Sequence, residues 1–184
     1  MNETLKTIAN RYSCRAYESR LPEKSILEAI ALAAVQSPSG MNRQPWHIIV
    51  VTDKKLIEEL DAEGMKVLAA AEDKSIYERF MSRGGTLFYN TPCIIFAVTN
   101  SEKPALMDCG ILSENVALAA HSLGLGSCIC GMASSPLSGS RGAEFKKRLK
   151  FPEGFGFGMA ILIGTAKTKK EPHELDMEKV TYIK

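Results

Sequence analysis

The chain has 184 residues, 45% of them apolar and 24% charged, the proportions of an ordinary globular protein with length enough for one hydrophobic core. A net charge of +2, with acids and bases mixed along the chain, excludes the basic excess that would point to nucleic acid or an anionic membrane. No apolar run approaches the roughly 20 residues that span a bilayer, the opening Met1-Asn2-Glu3-Thr4-Leu5-Lys6 lacks the order of a secretory signal, and five cysteines suit reduced thiols better than a disulfide framework, so a cytoplasmic, single-domain protein is expected.

From Asn2, a good N-cap, Leu5, Ile8, Ala9 and Tyr12 recur at helical spacing and predict a first helix, which the polar segment 13–20 ends. Pro22 suits the first turn of a second helix that turns Ile26, Leu27, Ile30, Ala31 and Ala34 inward. That helix must stop before Ser37-Pro38, because a residue ahead of proline is pushed out of the helical region. Trp46 to Thr52 reads as a buried strand, and Asp53 caps a third helix through Leu56, Ile57 and Leu60. Residues 65–81 have helical composition without a clear face, and Gly84-Gly85 break the stretch.

Cys93 to Thr99 is a second buried strand, entered through Pro92. The longest helix is predicted from Ala105 to Leu123, with Leu112, Val116, Ala119 and Ala120 along one side and Gly124 and Gly126 at its end. A strand over Ser127–Gly131, a short helix over Arg141–Leu149 and a last core strand over Gly158–Thr165 follow. Residues 166–184 form a charged tail that either frays or packs across another surface, such as a partner subunit. Strands separated by helical stretches mean a mixed α and β fold, and no glycine-rich strand-to-helix turn of the dinucleotide type is present.

Four segments concentrate chemistry-bearing residues. Arg11-Tyr12-Ser13-Cys14-Arg15 sets two guanidiniums and a hydroxyl close together, as a phosphate cradle or as a solvated helix end whose arginines favour the C-terminal dipole. In Ser37-Pro38-Ser39-Gly40-Met41-Asn42-Arg43-Gln44-Pro45-Trp46 two prolines stiffen a polar run. Asn42 and Gln44 offer donor and acceptor together, suiting the edge of a heteroaromatic ring or a structural turn. The glycines around Ser127-Cys128-Ile129-Cys130-Gly131 admit a flat ligand, whereas Cys128 and Cys130, two apart in a strand, share a face and suit packing or a redox or metal role. Lys167, Lys169 and Lys170 meet a phosphate or belong to a solvated tail. His47, His121 and His173 lie in no nucleophile pattern and take structural or surface roles.

In this order, Arg11-x-Ser13-x-Arg15, Ser37-Pro38-Ser39-Gly40-x-Asn42-x-Gln44-Pro45-Trp46, Glu114-Asn115 to Gly131, and Ile163-Gly164 with the basic tail resemble the nitroreductase family of flavoproteins, over nearly the whole chain. The resemblance implies an α+β, nitroreductase-like fold: a central, mostly antiparallel sheet flanked by helices, dimeric, with an extended C-terminal tail over 166–184. It implies a homodimer holding one FMN in each of two interface clefts. Arg11 and Ser13, with Tyr12 between them, would hold the phosphate, and Arg15 would sit near the flavin N1 and O2 edge. Pro38, Ser39, Gly40, Asn42 and Gln44 would line the same cleft from the other subunit. The Ile129-Cys130-Gly131 backbone would face N5 and O4, and Lys167 or Lys169, with Lys170 the alternative, would complete the phosphate site.

The chemistry implied is a ping-pong transfer of hydride from NADH or NADPH, through flavin N5, to a nitroaromatic, quinone or similar small acceptor, with no side chain acting as the catalyst and Arg15 tuning the ring. The same fold serves dehalogenation and enone reduction, so the fold alone does not choose the reaction. A flavin-binding or redox-sensing protein without turnover, and a thiol or metal module built on Cys128 and Cys130, are the readings from other classes.

Overall fold

A computed structural model describes residues 1–100, 103–171 and 174–184 of the chain; His173 lies outside the described residues. The elements are helix α1 (Glu3–Asn10), helix α2 (Lys24–Val35), strand β1 (Trp46–Val51), helices α3 (Lys54–Ala70) and α4 (Ser75–Met81), strand β2 (Cys93–Thr99), helix α5 (Lys103–Ser122), strand β3 (Gly126–Ile129), helices α6 (Ser135–Ser138) and α7 (Gly142–Arg148), and strand β4 (Gly156–Gly164). The four strands form one sheet in the order β1-β2-β4-β3, and all three pairings are antiparallel. This is the mixed, mainly antiparallel architecture expected. Among the described residues no helix is long and apolar enough to cross a membrane.

The sheet is covered on both faces, and the alternation along its central strands shows how. Ile94, Phe96 and Val98 of β2 point into a core with Leu56, Ile57 and Leu60 of α3 and Phe145 of α7. Cys93, Ile95 and Ala97 point the other way, into a core with Leu27 and Ile30 of α2 and Leu112 and Val116 of α5. Successive side chains of a strand face opposite sides, so a strand sandwiched between two helical layers must be apolar at every position. That accounts for the unbroken run Cys93–Val98, each residue of which is fully buried.

Local capping follows the sequence closely. The Asn2 side chain accepts the Leu5 amide at 3.0 Å, and the Asp53 side chain accepts the Leu56 amide at 3.1 Å, each satisfying a donor that the helix itself leaves free. Pro22 sits just before α2, whose N-cap is Glu23.

Three elements differ from the sequence expectation. β1 is an edge strand and only half buried: His47 and Val50 are exposed, because just one of its two long edges has a partner. The third strand stops at Ile129, where a tight turn over Gly131–Ser134 begins. α3 runs on to Ala70, past Leu60 and through Gly64, and the remaining helical stretch is the separate α4. Gly64 is needed there for packing. A Cβ at that position would collide with the buried side chain of Leu87 and approach Pro136 Cδ to 3.0 Å, so α3 lies unusually close to α6 and to the 87–89 segment.

α7 is fastened to α3 by charge. Glu59 accepts bonds from Arg141 at 2.8 Å and from Arg148 at 2.7 Å; these bonds, Arg148's first, hold its carboxyl down at about 2. Arg141 also lies over the Phe145 ring, 4.6 Å from its centre.

Gly64→Ala decides between two opposed effects. Helix propensity alone favours alanine by about 1 kcal/mol. Overpacking a filled site costs about 1–3 kcal/mol. With Leu87 fully buried the second effect should win, and urea titration of the variant should give a lower midpoint than the parent at unchanged slope.

Candidate functional site

The segment after α1 runs extended, tied to the sheet at both ends. The Cys14 amide donates to the Ser127 carbonyl at 2.8 Å, beside a parallel bridge between Ser13 and Ser127. Three residues on, Tyr17 bridges Ala166, the Glu18 amide donates to the Thr165 carbonyl at 2.9 Å, and the Lys167 amide donates to the Ala16 carbonyl at 3.0 Å. Cys14 and Tyr17 go inward, 1% and 2% exposed, while Arg15 between them stays outside. Gly126 makes the close approach possible, since a Cβ there would stand 2.8 Å from Cys14 Sγ. Tyr17 donates its hydroxyl to the Cys14 carbonyl at 2.9 Å, which fixes the turn from within the core.

This arrangement opens two connected hollows. One, about 280 Å³, is lined by Tyr12, Ser13, Arg15, Arg83, Thr168 and Lys170 among others. The second, about 180 Å³, shares Arg15, Ala16 and Arg83 with the first and adds Tyr89, Asn90 and Lys167. No carboxylate lines either one. Among the described residues Arg15 reaches only the Ser13 carbonyl, at 3.5 Å, and Tyr12 donates its hydroxyl to the Thr168 carbonyl at 2.8 Å, anchoring the start of the tail. Arg11, next to Tyr12, has Nε 3.3 Å from Glu114 Oε1, but the N–H does not point at that oxygen; Nε is a buried donor without a hydrogen-bond partner.

A larger hollow of about 490 Å³ opens elsewhere, between Leu21, Ile57, Asp61 and Phe88. It shares Thr86 and Asn90 with the cationic pair of hollows but has none of their arginines. Asp61, lining this hollow, accepts the Phe88 amide at 2.7 Å; burial pushes its carboxyl above the usual range against the pull of that bond. The cation-rich pair is the better candidate for chemistry, because unopposed like charges around one opening call for an anion.

The second motif lies apart from this opening. Residues 37–44 leave α2 and pass α5, where the Asn115 amide donates to Ser37 Oγ at 3.0 Å and Asp108 Oδ1 accepts the Gly40 amide at 3.1 Å. Ser39 Oγ accepts the Gln44 amide at 2.9 Å, and Gln44 Nε2 donates to Asn42 Oδ1 at 3.1 Å. Met41, Asn42 and Gln44 have φ of 55°, 53° and 48°, left-handed values that strain non-glycine residues and persist only where the surroundings enforce them. None of Pro38, Ser39, Gly40, Asn42 or Gln44 lines either cationic hollow.

Within one chain, then, Tyr12, Ser13, Arg15, Lys167 and Lys170 come together, with Arg11 adjoining and Lys169 lining neither hollow. Ile129 ends β3, Cys130 follows it, and Gly131 opens the tight turn. The Cys130 amide is committed to the Ala160 carbonyl at 2.8 Å, whereas Gly131 is exposed, and a Cβ there would meet only Met159 Sδ, at 4.0 Å. Arg83 is the residue that sequence reasoning missed. Its one signal is a cation set directly before Gly84-Gly85, and nothing in that pattern brings it near Arg15.

The thiols are sealed. All five cysteines are unpaired and buried, and burial, then the neighbouring Cys128, pushes the Cys130 thiol up to about 12. Burial also raises Cys128, against the pull of Arg15 and Arg83, whose fields reach β3. A thiol so raised is almost wholly protonated at neutral pH and is a poor nucleophile or metal ligand. Cys128 and Cys130 both pack into the core facing α3.

The chain matches the Nitroreductase family model over residues 8–165. A nitroreductase with bound FMN from Desulfitobacterium hafniense DCB-2 is 52% identical, with all of both chains covered and a TM-score of 0.97. A nitroreductase with bound FMN from Bacteroides fragilis NCTC 9343 is 27% identical over all of both chains, with a TM-score of 0.90. Among curated relatives, the FMN reductase [NAD(P)H] of Bacillus subtilis (strain 168) is 27% identical, over 100% of this chain and 76% of its own length.

If burial governs the thiols as described, the native protein at neutral pH should be nearly inert to a disulfide reagent such as DTNB. All five sulfurs should titrate once guanidinium unfolds the chain. Rapid native labelling of Cys128 or Cys130, read by peptide mass mapping, would contradict the packing role.

Proposed function

Because this chain belongs to the nitroreductase family, we propose that two copies of it hold FMN in clefts between them and pass hydride from NADH or NADPH to a nitroaromatic, a quinone or a similar small acceptor. Residues 1–184 act in this reading as one FMN-binding domain with 166–184 as its tail. The observation that carries it is the cationic opening: Arg15, Arg83, Lys167 and Lys170 around hollows without a carboxylate, beside the buried and unsatisfied Nε of Arg11. Such a donor set fits a phosphate monoester, whose oxygens accept forked, charge-assisted bonds.

Arg11 and Ser13, with Tyr12 between them, hold the phosphate in this reading. Lys167 and Lys170 are better supported than Lys169 as its lysine partners, since both line the hollows and Lys169 does not. Arg15 stands at the N1 and O2 edge, and the backbone around Gly131 faces N5 and O4. FMN, when bound, would supply the hydride-transfer chemistry between the nicotinamide donor and the acceptor. The protein's part is to anchor the anionic end, set positive charge against the ring and leave one flat face open.

What one chain leaves uncovered supports the homodimer of this reading. α1 buries none of its residues, and Leu5 and Ile8 are 52% and 49% exposed. Leu32 and Val35 of α2, Met107 and Ile111 of α5, and Tyr182 and Ile183 of the tail are exposed as well, large apolar side chains that a second copy could cover. The separation of Pro38, Ser39, Gly40, Asn42 and Gln44 from the cationic opening fits their serving the cleft of the other copy. The five unpaired cysteines accord with a cytoplasmic setting.

Purified protein should be yellow, and sedimentation should give twice the chain mass of 20.1 kDa. NAD(P)H consumption with a nitrofuran or menadione should give parallel double-reciprocal lines. A yellow protein without turnover would instead support a flavin-binding or sensing role, and turnover confined to halogenated or enone substrates would redirect the chemistry within the same fold. Arg11→Ala should weaken FMN binding roughly ten- to hundredfold, the loss of about 1.5–3 kcal/mol for a bond to a charged group. Arg15→Ala should keep more of its flavin and be reduced more slowly in stopped flow.

A further inference from the structure

The hollow of about 490 Å³ takes no part in the cofactor reading, and its walls are built from two elements. One wall is a stripe of α3: Lys54, Ile57, Glu58 and Asp61 line it, spaced so that they share a face of the helix. The other is the 86–92 segment, ending in the half-buried Pro92, and Leu21 adds an exposed apolar edge. Both walls are braced. The Phe88 amide donates to Asp61 at 2.7 Å, the Thr91 amide to the Phe88 carbonyl at 3.0 Å, and the Thr91 hydroxyl to the Ile163 carbonyl at 2.9 Å. Between them Tyr89 and Asn90 turn with φ of 52° and 57°, left-handed values that only enforced surroundings maintain.

The charge in this hollow is opposite to that of its neighbours. Two carboxylates, Glu58 and Asp61, line it with one lysine, Lys54. Lys54 and Glu58 lie 3.7 Å apart, both mostly in solvent, and largely cancel. Asp61 is half-buried and has no ion-pair partner among the described residues. An ionised carboxylate accepts about four bonds, so the bond from Phe88 leaves it room for another donor. Burial raises this carboxyl although the Phe88 and Leu87 amides pull it down, and a cation beside it would offset that cost. The bland alternative is a solvent-filled dent whose acid only holds Phe88. Against it stand the braced walls, the apolar edge and a volume within the range of about 300–1,000 Å³ usual for small-molecule sites.

We propose that this hollow is a second small-molecule site, which takes an aryl-alkyl primary amine with its ring against Leu21, Ile57 and Pro92 and its ammonium on Asp61. The inference does not depend on the FMN reading. The hollow shares Thr86 and Asn90 with the cationic opening, so the two lie side by side with opposite sign. An amine is repelled by the arginines of one and drawn to the unpaired acid of the other, and charge alone sorts the two kinds of ligand.

Calorimetric titration of the protein as purified with tryptamine, its neutral counterpart ethylindole and its anionic counterpart indolepropionate tests this. Tryptamine should bind saturably, ethylindole about tenfold more weakly, and indolepropionate more weakly still. Asp61→Asn keeps an oxygen for the Phe88 amide and should bring tryptamine down to the level of ethylindole. Ala62→Phe, at an exposed position of α3 that lines the hollow, should crowd the site and weaken tryptamine and ethylindole together without lowering the melting temperature. This second variant keeps the test open where Asp61→Asn folds poorly. Absence of saturable tryptamine binding would overturn the proposal, as would equal affinity for tryptamine and ethylindole. Tryptamine binding undiminished in Ala62→Phe, or competition between tryptamine and FMN, would place the amine elsewhere and overturn it too.

Discussion

One backbone hydrogen bond does more for the candidate site than any side chain: the Cys14 amide donating to the Ser127 carbonyl. It lays the segment after α1 alongside β3, where Cys14 and Tyr17 sink into the core and Arg15 is held outside it. The bond from Glu18 to Thr165, just beyond β4, and the bond from Lys167 back to Ala16 continue the same seam and bring Lys167 and Lys170 to the same opening. The bare Cβ position of Gly126 is what lets the two backbones come so close. Clustered positive charge is costly to assemble, and here the sheet enforces it.

α5 is the second organiser. Two consecutive residues on it serve different parts of the molecule: Glu114 lies against Arg11, and Asn115 holds Ser37. Asp108, two turns earlier, holds Gly40. The helix thus connects the arginine segment with the strained 37–44 loop through short polar contacts, although the two motifs share no hollow. In the proposed dimer these motifs serve different clefts.

The sequence was most informative where burial is uniform or capping is explicit. Strand β2 is legible end to end because both of its faces are covered, which leaves no polar residue to blur it. Asn2 and Asp53 announce their helices through side chains that cap them. β1 reads as buried from its β-branched residues, but being an edge is a matter of strand order, which composition does not encode. α3 looked shorter than it is because Gly64, a helix breaker by propensity, is kept for a close crossing with α6. For the site, the arginine and serine-proline motifs were visible by resemblance. Arg83 was not, since its meeting with Arg15 depends on how α4 packs, and the choice among Lys167, Lys169 and Lys170 depends on which of them the tail's path turns toward the hollows.

The left-handed run at Met41, Asn42 and Gln44 has a consequence for recognition. A polar loop that had to settle into shape around its ligand would lose entropy at that moment, and affinity would suffer by the same amount. This one is moulded beforehand, as the chain folds, by anchors on α5 and by its own Ser39 and Gln44. What arrives meets a ready template, so selectivity in this region comes from rigid shape more than from adaptation.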